Sequence, residues 1–306
     1  MSGPRLGLAL GSGGARGLAH AGVLQALHEA GIPVGMVAGT SMGALVGALY
    51  ASDPDPNTLW QHVLTYIEDP DFAGHWDAFV PREGNSRLEG LFDFMHRGRV
   101  AVRTMTSLAA ESRDSLHGPL TRSFADTPRF EDLVLPFAAV ALDLMSGNQV
   151  VFREGSLVDG LYASCAIPGI FPPVERDEEM IVDGGGPFRV PVDACRESGA
   201  DFVVAVDIPG YRETNLRSGF DLGMRSNTVA RDRLNDFVCA SADFVIRPAV
   251  QGFHWADFKN GDAIREIGYE STMNCLPALH QRWDRRRSPL GRLVGYFRQN
   301  RCDKAR

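Results

Sequence analysis

Within its first fifty residues the chain twice passes from an apolar run, through a small-residue turn, into a segment with helical spacing. Leu6–Leu10 reads as a strand and Gly11–Gly17 as a glycine-rich turn. Leu18 to Ala30 then carries apolar residues at helical intervals and stops at Gly31. Val34–Val37 reads as a second short strand, Gly39–Ser41 as a turn, and the following residues as a helix through Tyr50, broken by Pro54 and Pro56. Strand–helix–strand–helix with short loops is the rhythm of a parallel sheet covered by helices. The expected fold is therefore α/β, three layers deep, with a mostly parallel central sheet and helices on both faces.

Strand-like runs resume at Phe137–Leu142, Gln149–Phe152, Glu179–Val182, Phe202–Asp207 and Phe244–Ile246. Ser226–Cys239 and Ala263–His280 read as helices. Residues 52–130 interrupt this rhythm and form a candidate lid or insert. No internal repeat or low-complexity linker divides the chain, so one α/β domain is expected over residues 1–281, followed by a tail over 282–306. That tail holds nine basic and two acidic residues, in a chain whose net charge is −7. A negative balance argues against a nucleic-acid partner. Five scattered cysteines without CxxC spacing predict neither a disulfide framework nor a zinc site, and they fit a reducing, cytoplasmic compartment. Leu6–Leu10 is too short for a secretory signal. Met36 to Ala51, the most membrane-like stretch, is shorter than the roughly 20 residues of a spanning helix. Its Gly43 and Gly47 are read as close-packing positions in a buried helix.

Three glycine-bearing segments carry the chemistry. Gly39-Thr40-Ser41-Met42-Gly43 is the one GxSxG in the chain. Between a strand and a helix this spacing makes a nucleophile elbow: a sharp turn presents the serine hydroxyl, and small neighbours let the substrate approach. The bland alternative is a plain turn. Gly11-Ser12-Gly13-Gly14-Ala15-Arg16-Gly17 also follows a strand and opens a helix. Its glycines do not fit GxGxxG in either frame, and no Lys-Ser/Thr follows as a phosphate loop requires. It can instead offer bare backbone N–H groups as an oxyanion hole, or simply make a tight turn. Asp183-Gly184-Gly185-Gly186 ends an apolar run, where open sheets place functional groups, although an Asx-turn would look the same.

The three segments, in this order, resemble those of the patatin-like phospholipase family, and more closely its bacterial branch allied to neuropathy target esterase. Ala163-Ser164-Cys165-Ala166-Ile167-Pro168-Gly169, running on to Phe171-Pro172-Pro173, and Gly199-Ala200-Asp201 leading to Val206-Asp207 extend the similarity over roughly residues 5–275. The resemblance implies a patatin-like three-layer fold and a serine lipid acyl hydrolase. Its implied dyad is Ser41 as nucleophile and Asp183 as base, working through an acyl-enzyme. Gly13, Gly14 and Arg16 would form the oxyanion hole, with Gly11, Gly17, Gly39, Gly43, Gly184 and Gly185 supporting the turns. No cofactor is expected, and the chain offers no metal-ligand motif such as HExxH. Two departures stand out: Ser12 interrupts the glycine run, and Phe188-Arg189 occupies the place where relatives often carry Asn-Pro.

The expected partner is a lipid or carboxyl-ester substrate. Phe79, Leu91-Phe92, Phe94-Met95 and Phe171 are candidates for an acyl trench, each weighed against an ordinary core role. The basic tail, with apolar residues between arginines, is a candidate for peripheral contact with the inner face of a membrane. An α/β-hydrolase triad completed by His254 or His280 is the enzymatic rival. His20 and His28, on the first helix, are read as packing or surface residues. A lipid-binding protein without turnover is the non-enzymatic rival, and transfer to an acceptor other than water shares the first half-reaction.

Overall fold

The computed structural model describes residues 3–76, 107–210, 216, 218–289 and 291. β1 (Leu6–Leu10), β2 (Met36–Thr40) and β7 (Phe202–Val206) are buried along their whole length. Their uninterrupted apolar character is what a sheet covered on both faces demands. With β3 (Phe137–Asp143) and β8 (Phe244–Ile246) they form a parallel array in the order β3-β2-β1-β7-β8. β4 (Gln149–Phe152) and β6 (Glu179–Asp183) pair antiparallel with β3, and β5 (Val174–Arg176) pairs antiparallel with β6.

The registers on β3 have a direct structural consequence. β2 pairs with Phe137–Val140, so that Thr40 lies opposite Val140, whereas β6 pairs with Ala141–Asp143, so that Asp183 lies opposite Ala141. β4 spans both stretches and must therefore occupy the other edge of β3. β2 and β6 thus run towards each other along one edge, and their carboxyl ends meet.

One face of the sheet is covered by α1 (Ala19–Glu29), α2 (Met42–Ser52), α3 (Pro56–Ile67) and α9 (Gly261–Arg287), which share the larger apolar core. α4 (Pro70–Trp76), α5 (Asp114–Ser123) and α6 (Leu157–Cys165) extend that layer. α7 (Val192–Glu197) and the end of α8 (Gly219–Cys239) pack a second core on the opposite face. The three-layer α/β expectation is met. No helix among the described residues is long and apolar enough to cross a membrane.

Several boundaries differ from the sequence reading. The second strand begins at Met36 and continues through Thr40, with the Gly35 N–H just ahead of it bonded to the Leu6 carbonyl of β1 at 2.8 Å. Gly14–Leu18 forms a 3₁₀ turn ahead of α1, so the first helix starts later than Leu18. α9 continues to Arg287, with Trp283 buried against Phe202 at 5.3 Å between ring centroids. The first arginines assigned by charge to the tail therefore lie on this helix, and nearly all of the remaining tail lies outside the described residues. Phe79, Leu91, Phe92, Phe94 and Met95 lie outside them as well.

Candidate active site

The turn after β2 holds Ser41 at φ 56° and ψ −125°, a backbone conformation that side-chain-bearing residues rarely adopt. Its neighbours make this possible. A Cβ on Gly43 would strike the carbonyls of Leu10 and Gly11, and one on Gly39 would strike the backbone of Gly43 and Ala44. Both glycines of the GxSxG motif are therefore required by backbone contact. Gly43 and Gly47 face the sheet, as close-packing positions should.

Where β2 ends, Ser164 from α6 takes over from the strand ladder. Its hydroxyl accepts the Ser41 N–H at 2.9 Å and donates to the Val140 carbonyl at 2.7 Å. Ser164 is fully buried and both of its bonds are made inside the protein. Sequence reasoning did not single out this residue beyond its place in a similar block. A buried small hydroxyl next to Cys165 gives no signal until the register on β3 is known.

Asp183, at the end of β6, meets Ser41 at this junction. Ser41 is 6% exposed and Asp183 8%. Burial pushes the Asp183 carboxyl up to about 6, against hydrogen bonding with the Ser41 hydroxyl, a 2.6 Å bond from the Gly185 N–H and the charge of Arg231. Its own N–H is held by the Ala166 carbonyl at 2.9 Å. Burial also pushes up the neighbouring Cys165 thiol, helped by the Asp183 charge, which keeps that thiol protonated. Cys165 is a buried, packed residue.

The glycine loop lies against the same end of the sheet. Gly11, Ser12 and Ala15 donate their N–H groups to the carbonyls of Val206, Arg189 and Trp255, at 3.0, 2.9 and 2.7 Å. No acceptor among the described residues takes the N–H of Gly13 or Gly14. Gly14 has φ +57° and a Cβ there would strike the Trp255 carbonyl. Arg16 is 8% exposed and donates Nε to the Gly13 carbonyl at 3.4 Å, which braces the loop from within. His20 is buried, and its Nε2 bonds the Gly11 carbonyl at 2.7 Å. Burial drives its pKa down to about 4, so the neutral ring is the donor. The packing reading of His20 is met, with the added task of anchoring the loop.

Around the site stands an aromatic wall. Trp76 makes edge contacts with Phe171 at 6.0 Å and Trp255 at 5.9 Å, and packs on Phe258 at 5.2 Å. Beyond it lies a cleft of about 550 Å³ whose lining mixes apolar Leu64, Ile67, Trp76 and Phe258 with charged Glu68, Asp257, Lys259 and Asp262. His280 lies on α9, and His254 lies beside Trp255 with its Nδ1 bonded to the Ala256 N–H at 3.3 Å. The groups that set the Asp183 charge are Ser41, Gly185 and Arg231, with no histidine among them.

A family model described as patatin-like phospholipase matches residues 8–196. Human patatin-like phospholipase domain-containing protein 6 is 32% identical over 299 residues, covering 88% of this chain and 20% of that protein. An NTE family protein of Mycobacterium bovis is 36% identical over 210 residues, covering 68% of this chain and 50% of its own length. Among solved structures, human GIVD cytosolic phospholipase A2 has a similar fold. Its TM-score is 0.50 at 11% identity, over 91% of this chain and 60% of that one. This chain spans about a fifth of the length of the human relative. Motif order, fold and similarity agree: the chain belongs to the patatin-like phospholipase family.

Proposed function

We propose that this chain is a serine lipid acyl hydrolase of the carboxyl-esterase or lysophospholipase type, working through a Ser41–Asp183 dyad. The meeting of Ser41 and Asp183 at the head-on junction of β2 and β6 carries this reading. An ordinary aspartate, with a pKa of about 3.9, is a weak base for a hydroxyl. Burial raises Asp183 to about 6, which makes it a stronger base that is still mostly ionised at neutral pH.

In the proposed reaction the Ser41 Oγ attacks the ester carbonyl carbon as its proton passes to Asp183. The carbonyl oxygen becomes an oxyanion facing the N–H groups of Gly13 and Gly14, and Arg16 holds the loop that presents them. Collapse of the tetrahedral adduct breaks the ester C–O bond, and the leaving alkoxide takes the proton from Asp183. Water then attacks the acyl-enzyme, again with Asp183 as base, releasing the fatty acid and restoring Ser41. The aromatic wall around Trp76 offers an apolar surface for the acyl chain.

The test is hydrolysis of a graded series of p-nitrophenyl esters and a lysophospholipid by wild type, Ser41→Ala and Asp183→Asn, with folding checked by circular dichroism. Loss of activity in both folded variants is expected. Full activity in Ser41→Ala would overturn the reading.

A further inference from the structure

α8 carries its polar side inward and its apolar side outward. Thr228, Asp232, Asn235 and Cys239, at steps of four, three and four, face the protein, and of the described side chains on this helix only Asn235 and Cys239 are buried. The bonds that hold the helix in place are polar. Arg231 donates Nη2 to the Gly185 carbonyl at 2.7 Å, on the turn whose N–H binds Asp183. Asp232 accepts from Arg189 at 2.9 Å, Asn235 donates to Asp207 at 2.8 Å, and Asp236 accepts from Arg247 at 3.0 Å. The outward side is apolar instead. Phe237 is 80% exposed and Leu222 60%, with Val229 and Leu234 exposed between them. At 1.5 Å per residue this stripe is about 22 Å long.

A surface helix ordinarily owes its place to burial of its apolar stripe. Here the stripe is turned to water, and a row of large apolar side chains exposed on one element marks a surface that meets something less polar. Charge decides what it meets. Asp232 and Asp236 are neutralised by Arg189 and Arg247, whereas Arg225 and Arg233 have no acidic partner among the described residues. The face left over is therefore apolar and positive. In a symmetric contact of two copies centred on Val229, Arg225 of one would meet Arg233 of the other, like charge against like. An anionic lipid surface complements both features: the apolar side chains enter the acyl boundary while the guanidinium groups stay among the headgroups. The bond from Arg231 to Gly185 also ties this helix to the turn that holds Asp183, so a membrane lying on it borders the site.

We infer that the outward face of α8 is a docking surface for an anionic lipid membrane, into which Leu222, Val229, Leu234 and Phe237 insert while Arg225 and Arg233 engage the headgroups. The inference goes beyond the proposed esterase reading, since docking needs no working dyad. It concerns an element separate from the basic tail.

Flotation with vesicles of phosphatidylcholine enriched in phosphatidylglycerol, and with vesicles of phosphatidylcholine alone, measures the docking. Wild type, the double variant Leu222→Ser/Phe237→Ser, the double variant Arg225→Gln/Arg233→Gln and Ser41→Ala are compared as full chains. Thermal melts report folding, and turnover of a short-chain p-nitrophenyl ester dissolved as monomers reports the site. Wild type and Ser41→Ala should bind the anionic vesicles alike. The serine pair should weaken that binding by about tenfold, and the glutamine pair should weaken it on anionic vesicles alone. Turnover of the dissolved ester should be unchanged in both pairs, while turnover of a lysophospholipid carried in anionic vesicles falls in step with binding. Wild-type binding that survives in the serine pair would overturn the inference and assign docking elsewhere on the chain. A wild type that ignores vesicles would overturn it as well, and so would one that sediments as a dimer, turns monomeric in the serine pair and binds no vesicles. Absence of all turnover in wild type, with vesicle binding still lost in the serine pair, would overturn the esterase reading and leave the docking surface standing.

Discussion

Replacing Asp183 by asparagine should inactivate the protein and, at neutral pH, make it more stable. The carboxyl sits at about 6 in the folded chain, chiefly because it is buried. An unfolded aspartate titrates near 3.9. A raised native pKa means that the folded state holds the proton more tightly than the unfolded one. The stabilising contribution of this group is therefore complete below about pH 4 and is lost as pH rises through about 6. Two pKa units at ~1.4 kcal/mol each make the loss about 3 kcal/mol at neutral pH. Asparagine keeps an oxygen to accept the Gly185 N–H but carries no charge to desolvate. At about 2 °C per kcal/mol for a chain of this size, Asp183→Asn should melt about 6 °C above wild type at pH 7.5. At pH 4.5, where the folded Asp183 is largely protonated but the unfolded side chain is already mostly ionised, the difference should shrink to about a third of that. Melting both proteins by differential scanning calorimetry at the two pH values isolates this group, because every other titrating residue is common to both. A variant less stable than wild type at pH 7.5, or a difference that ignores pH, would refute the reasoning.

The same titration should appear in turnover. For a neutral ester, kcat/KM should rise about tenfold per pH unit below about 6 and level off above it, and a flat profile from pH 5 to 8 would remove Asp183 as the base. Ser41→Gly should be inactive yet more stable than Ser41→Ala by about 1–2 kcal/mol in urea unfolding, because glycine accepts φ 56° without strain. Ser164→Ala should cost about 1–3 kcal/mol, since it strands the Ser41 N–H in a buried place. It should also lower kcat more than it raises KM, because the elbow is left without its brace. An equal change in both constants would reduce Ser164 to a packing role.

Much of this arrangement is legible in the chain because it is local. An apolar strand, a glycine turn and an apolar helix follow one another within a few residues at Ser41 and again at Gly13-Gly14. Asp183 also announces itself, as an acidic residue closing an apolar run before three glycines. What could not be read is long-range. Ser164 and Arg231 act on residues 123 and 46 positions away, and only strand register brings them there. β5 escaped notice because Val174–Arg176 is short, half polar and on the sheet edge. Val34 and Val37 suit a strand in isolation, which draws the sequence reading of the second strand two residues early. Pairing with Phe137–Val140 is what shifts it to Met36–Thr40.

The head-on meeting of β2 and β6 also bears on how the protein is made. Neither strand touches the other through a ladder of its own, because each is aligned by β3. Synthesis must reach Asp183 before the proposed base exists, and the sheet must then close over a long loop before it can meet the proposed nucleophile, Ser41. On the proposed mechanism, a partly folded chain can expose Ser41 but has no means of activating it. Catalytic turnover should consequently return in step with the slowest sheet-forming phase of refolding, so that the reaction itself reports the completed structure and a half-made molecule poses no hazard to the lipids around it.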